Sequence, residues 1–244
     1  MNSRGTVALL AVLAAAGAGV GLYVSRRPAP APGLSSPPPA PAAAVPAGVP
    51  ALEESDPWVR EKAFGLSNDL AIRSWLSSDS LASRLVAGLA RIARGEIPRE
   101  SLAAFAPRGA FALKKRGGKV YADLAAGGTR YRAALDAAAS IDPAAAARLF
   151  GELEPLLDAA QAALGERGGT ARETFAAAAK ELLAAPVPPD EPELRPGKKG
   201  VVFVFADPKL EALSPAQKQL IRLGPAGQKA VQDKLRAIAA ALAK

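Results

Sequence analysis

The sequence predicts an all-α, helix-dominated single domain with a small β-hairpin, preceded by one transmembrane helix and a Pro/Ala-rich linker. Three observations carry this. Apolar residues recur at helical spacing through most of residues 51–244, the first 27 residues contain an uncharged apolar run, and the stretch between them is dominated by proline and alanine. The chain divides accordingly into an anchor over 1–27, a tether over 28–50 and a helical domain over 51–244.

Gly5 to Val24 is a run of twenty residues without a charge, bounded by Arg4 and by Arg26-Arg27. At 1.5 Å per residue it spans about 30 Å, the thickness of a bilayer core. Tyr23 falls where an interfacial aromatic belongs. A cleaved signal peptide would place its apolar region at Val7 to Ala15 and its cleavage site at Ala16-Gly17-Ala18. The run continues past that site to Val24, which favours an uncleaved signal anchor. Gly17 and Gly21 stand four apart on one helix face, the spacing that lets two membrane helices approach and form a homodimer. The charges flanking the anchor nearly tie under the positive-inside rule.

Pro28 to Pro50 holds nine prolines and seven alanines among 23 residues and no charge. Such a segment favours extended polyproline II and reaches about 70 Å at full stretch. It suits holding a domain away from a membrane, and this favours a domain on the outer side. A proline-rich ligand for an SH3-like partner would need a basic residue beside it, and those occur only at the membrane end.

Ser55-Asp56-Pro57 reads as a helix start, followed by apolar Trp58, Val59, Phe64 and Leu66. Asp79 or Ser80 opens a second helix carrying Leu81, Leu85, Leu89 and Ile92, stopped by Gly95 and Pro98. Between Ala110 and Leu124 the period changes to two, and Gly117-Gly118 between short alternating runs predicts a hairpin with a basic tip. Asp142-Pro143 opens a long helix in which Pro155 predicts a kink or break near Gly151 to Glu154. Thr170 caps another helix, ended by Pro186. A proline-rich loop with Asp190, Glu191 and Glu193 follows, lacking the ligand spacing of a calcium loop. Val201 to Phe205 reads as a buried strand or an extended arm. Two short helices, a Gly224-Pro225-Ala226-Gly227 turn and a last helix with a Val231/Leu235/Ile238/Leu242 stripe complete the domain, with Lys229 and Arg236 pointing outward.

Neither cysteine nor histidine occurs. This removes disulfides, thiolates, the commonest zinc ligands and the Ser-His and Cys-His dyads, so no catalytic residue, metal site or cofactor is expected. The formal charge of +8 is polarised: Arg195 to Lys244 carries ten basic and three acidic residues, whereas Ala51 to Leu194 has 18 basic and 20 acidic. Lys229 and Arg236, with Lys114, Lys115 and Arg116 on the hairpin, are the candidate interaction face. The leading expectation is a non-catalytic adaptor binding a protein. Nucleic acid or another acidic polymer is an alternative motivated by pI ≈ 9.9, set back by sparse aromatics and the lack of a groove-binding motif. A carboxylate-dependent cell-wall glycan hydrolase would have to draw on Glu54, Glu61, Glu152 or Glu154, which read more simply as helix-surface groups.

Phe205-Ala206-Asp207-Pro208-Lys209-Leu210-Glu211-Ala212-Leu213-Ser214-Pro215-Ala216-Gln217-Lys218, with Leu223-Gly224-Pro225 and Lys234-Leu235-Arg236, resembles the bacterial family known as domain of unknown function 3014. Weaker echoes are Glu54-Ser55-Asp56 with Val59-Arg60-Glu61, Leu89-Ala90-Arg91 with Arg94-Gly95, and Arg130-Tyr131 with Leu156-Leu157. The resemblance extends over about Leu52 to Leu242. Leu149-Phe150 and Gly165 to Gly169 depart from it, where tyrosine-bearing segments would be expected. The resemblance implies a single-anchor protein of the Gram-negative inner membrane with a periplasmic domain, and no particular activity.

Overall fold

The computed structural model describes residues 48–165, 169–197 and 202–244. The anchor, with Gly17 and Gly21, and the tether up to residue 47 lie outside the described residues. Among the described residues no helix is long and apolar enough to cross a membrane.

Among the described residues ten α-helices dominate: α1 (Asp56–Ala63), α2 (Leu70–Leu76), α3 (Leu81–Ala93), α4 (Gly127–Arg130), α5 (Arg132–Ala139), α6 (Pro143–Ala163), α7 (Ala171–Leu183), α8 (Pro208–Glu211), α9 (Pro215–Ile221) and α10 (Gly224–Leu242). The core lies among α3, α6, α7 and α10. Leu81, Leu85, Leu89 and Ile92 enter it from α3, and Val231, Leu235 and Ile238 from α10, as their spacing predicts; Leu242 is only partly buried. Packing begins before residue 51, because Val49 and Leu52 already rest on this core.

Local chemistry sets the helix ends. Thr170 and Ser214 form capping boxes with Glu173 and Gln217, and Asp142 accepts from the Ala145 N–H. Asp56 does not cap its own helix. Its carboxylate accepts from the Ser80 and Leu81 N–H groups at 2.7 and 2.8 Å, capping α3 from α1 while Ser80 takes a left-handed φ of 57°. Buried Gln228 and Gln232 of α10 donate to the Leu182, Ala185 and Pro186 carbonyls, satisfying the C-terminal end of α7.

Several expectations change. Pro155 does not break α6, which continues through it; the Gly151 carbonyl that loses its partner belongs to an exposed residue, so it is not left without a donor in a dry interior. Gly224 to Gly227 is the first turn of α10 and not a separate turn. Phe64 is 76% exposed and contributes nothing to the core.

The largest correction concerns the sheet. The hairpin is half of a four-stranded antiparallel sheet in the order β1 (Leu113–Arg116), β2 (Lys119–Ala122), β3 (Glu193–Pro196), β4 (Phe203–Phe205). Gly117 and Gly118, at φ 56° and 73°, supply the two positive dihedrals of the tight turn. β3 was hidden in the proline-rich loop, where Pro196 pairs with Phe203 near the end of the ladder. Phe203 to Phe205 supplies β4, which is not the buried strand expected: Val202 and Phe203 are exposed, and only Phe205 is buried, joining Ala122, Leu124, Leu194, Leu210 and Ile221 in a second, much smaller core.

Candidate functional site

On the sheet, two features that are far apart in sequence meet. Lys114 Nζ lies 2.8 Å from Glu191 and 3.2 Å from Asp123, Arg116 lies 3.3 Å from Glu191, and Lys119 lies 2.8 Å from Glu193. The basic hairpin is thus matched by the acids of the proline-rich loop. Hydrogen bonding to Glu191, then Asp123, raises the Lys114 pKa above the usual lysine value, and the same bond from Lys114 lowers that of Glu191. Lys115, one residue out of phase, shares in none of these pairs. On α10, Lys229 and Arg236 point outward as expected, and both pair with Asp233, Arg236 at 2.8 Å. The structure therefore puts Lys114, Arg116, Lys229 and Arg236 each beside a carboxylate. The carboxylates considered for hydrolysis are dispersed: Glu152 pairs with Lys62 at 3.3 Å, and Glu154 takes both ends of the Arg172 fork at 2.8 and 2.6 Å.

The sheet's β4 edge is different. The Gly197 N–H donates to Val202 O at 2.7 Å and the Ala206 N–H to Glu193 O at 2.9 Å, so the alternation turns the backbone groups of Phe203 and Phe205 away from β3. The Phe205 N–H is taken by Glu211 Oε2 at 3.0 Å. Among the described residues β4 pairs only with β3, and beside its open edge Val202 and Phe203 are 43% and 45% exposed.

Where the sheet meets the helices, a polar network runs from α4 to α9. Tyr131, 1% exposed, receives a hydrogen bond at its hydroxyl oxygen from Gln219 Nε2 at 2.7 Å and a longer one from Arg130 at 3.4 Å. The Gln219 Oε1 in turn accepts from Arg222 at 3.3 Å. The Arg130 and Arg222 guanidinium carbons each stand 5.9 Å from the Phe111 ring centre. Burial lowers the Arg222 pKa, and Arg130 and Arg99 lower it further by repulsion, against attraction from Tyr131 and Glu211. Two backbone crossings hold the network in register. A Cβ on Gly127 would come 2.3 Å from Arg222 O, and one on Gly224, at φ 79°, 2.3 Å from Leu124 O.

Sequence reading missed this network because its members come from segments about ninety residues apart; the adjacent Arg130-Tyr131 pair was its sole local trace. The C-terminal motif explains the junction. Asp207 caps α8, Ser214 caps α9, and Glu211 joins Lys218 at 2.7 Å to the β4 backbone. Lys234 reaches Ile141 O at 2.5 Å, tying α10 to the segment after α5. Among the described residues no group of acidic side chains could hold a metal ion. No curated protein and no solved structure matches the chain. The family model described as "Protein of unknown function (DUF3014)" matches residues 81–239, a span running from the first residue of α3 into the last turns of α10, and the chain belongs to that family.

Proposed function

We propose that this chain is a non-catalytic, membrane-tethered protein of the cell envelope whose helical domain, held outside the inner membrane by the Pro/Ala-rich tether, binds another protein through the β4 edge. The observation that carries the reading is the β4 edge, beyond which no strand pairs among the described residues: the Phe205 N–H is held by Glu211, but the backbone groups of Phe203 face outward, and Val202 and Phe203 are exposed. A partner strand can add to such an edge, with main-chain bonds supplying affinity and apolar contacts specificity. Edge strands without a partner are usually blunted by charge. β1 is blunted in this way by Lys114, Lys115 and Arg116, and β4 carries no charge between Val202 and Phe205. The carboxylates beside Lys114, Arg116 and Lys119 weigh against a polyanion gripping the hairpin. The anchor rests on the uncharged run Gly5 to Val24.

The test is crosslinked recovery from membranes of the full chain and of its Phe203→Lys variant. Loss of one reproducible partner from the variant, at unchanged melting temperature, supports the reading; equal recovery by both proteins overturns it. A cysteine placed at Ser36, in a chain that has no cysteine of its own, reports topology: labelling by an impermeant reagent in spheroplasts is expected, and labelling only after lysis contradicts an outer location.

A further inference from the structure

The polar network between α4 and α9 is rich in donors, and among the described residues neither Arg130 nor Arg222 forms an ion pair. Arg222 is only partly exposed, and among the described residues the one hydrogen bond of its guanidinium is to the neutral Gln219 Oε1. A cation drawn partly out of water is stabilised by an opposite charge beside it, because the interior does not replace its hydration. Glu211 attracts it, but Oε1 of that carboxylate is held by Lys218 at 2.7 Å and Oε2 by the Phe205 N–H at 3.0 Å. Among the described residues the Arg130 guanidinium donates only to the Gly109 carbonyl, at 3.2 Å, and to the Tyr131 hydroxyl. That hydroxyl receives two hydrogen bonds and, among the described residues, donates none, so its proton is free.

Two guanidinium forks that share the Phe111 ring, with a phenolic O–H bonded to one of them, lack one thing, an acceptor with negative charge and more than one oxygen. The geometry points to an oxyanion-binding site formed by Arg222, Arg130 and the Tyr131 hydroxyl, taking the carboxylate or phosphate group of a ligand. Phe111, Arg130 and Arg222 are partly exposed, so the two guanidinium groups meet the ligand from the surface, with the buried Tyr131 hydroxyl bonded to Arg130 behind them. Gln219 is a positioning residue: its amide bonds both Tyr131 and Arg222 without offering a charge. The site is separate from the β4 edge and stands whether or not that edge binds a protein.

The experiment is thermal unfolding of the full chain in neutral detergent with inorganic phosphate or acetate, against chloride at equal ionic strength. The wild type should show a saturable rise of roughly 5–10 °C at a hundredfold excess over Kd. A larger rise with phosphate identifies a phosphate-bearing ligand, and a larger rise with acetate a carboxylate. Arg222→Gln should abolish the rise and, without either anion, melt no lower than the wild type, since it removes a half-buried charge that has no ion partner among the described residues. A purely structural arginine would instead lower the melting temperature. Tyr131→Phe, which deletes one oxygen, should reduce the rise and decides the matter if Arg222→Gln does not fold. No rise with either anion, or an equal rise in wild type and variants, overturns the site.

Discussion

The helical core and the sheet are built on different physics. In the core, long apolar side chains from α3, α6, α7 and α10 interlock, with Leu89, Leu157 and Leu235 at zero exposure. The sheet rests on six buried residues, and its outer surface is stitched by ion pairs among Lys114, Lys119, Glu191 and Glu193. Exposed pairs of this kind contribute little each and weaken in salt. The difference teaches where the domain can carry function. A face that contributes little to stability can leave an edge open, and the junction beside the sheet holds Arg130 and Arg222, which form no ion pair among the described residues.

The comparison breaks most visibly at α10. Leu235→Asp places a charge at a fully buried position in the helical core, and we expect a loss of about 4 kcal/mol or more by chemical denaturation. A matched truncation sharpens it. Leu157→Ala in the core should cost about 4 kcal/mol and Leu194→Ala under the sheet about 2 kcal/mol, because the thin sheet layer can relax into the space and the core cannot. Equal costs would dissolve the distinction.

Gly127→Ala probes the junction between the two regions. Its new methyl would meet Arg222 O, and a loss of about 2 kcal/mol is expected, with the anion response falling along with it. The smallest effect is electrostatic. Lys114 holds the Glu191 carboxyl below its unfolded value, so its contribution is complete above the ordinary carboxylate pKa of 4.5 and fades as pH falls through the lower folded value. Unfolding curves of the wild type and Glu191→Gln should therefore differ slightly at pH 6 and converge near pH 3. A gap that widens toward acid would reverse the assigned sign.

The same contrast explains what the sequence made legible. Leu81 to Ile92 and Val231 to Leu242 announce their helices because each buried face is written into one continuous segment with a 3.6-residue period. The hairpin was legible for a similar reason, since Gly117-Gly118 and its flanking strands are contiguous. β3 was not, because Glu193 to Pro196 looks like a proline-rich loop until Val120 and Phe205 come to lie on either side of Leu194. α4 and α5 lack a cap signal and are rich in alanine and glycine, so tertiary packing supplies what local preference does not. The cations were visible as residues, but their partners lie as far as 77 positions away, as for Lys114 and Glu191, and pairing at that distance leaves no periodic trace.

The measurement closest to the central claim, that the helices carry the stability and the sheet side is left free for binding, is native-state hydrogen exchange on the full chain. Amides of α3, α6, α7 and the middle of α10 should exchange only by global unfolding, with strong denaturant dependence. Amides of β3 and β4 should exchange through smaller openings at lower free energy. Protection of β3 and β4 equal to that of the core helices would contradict the account.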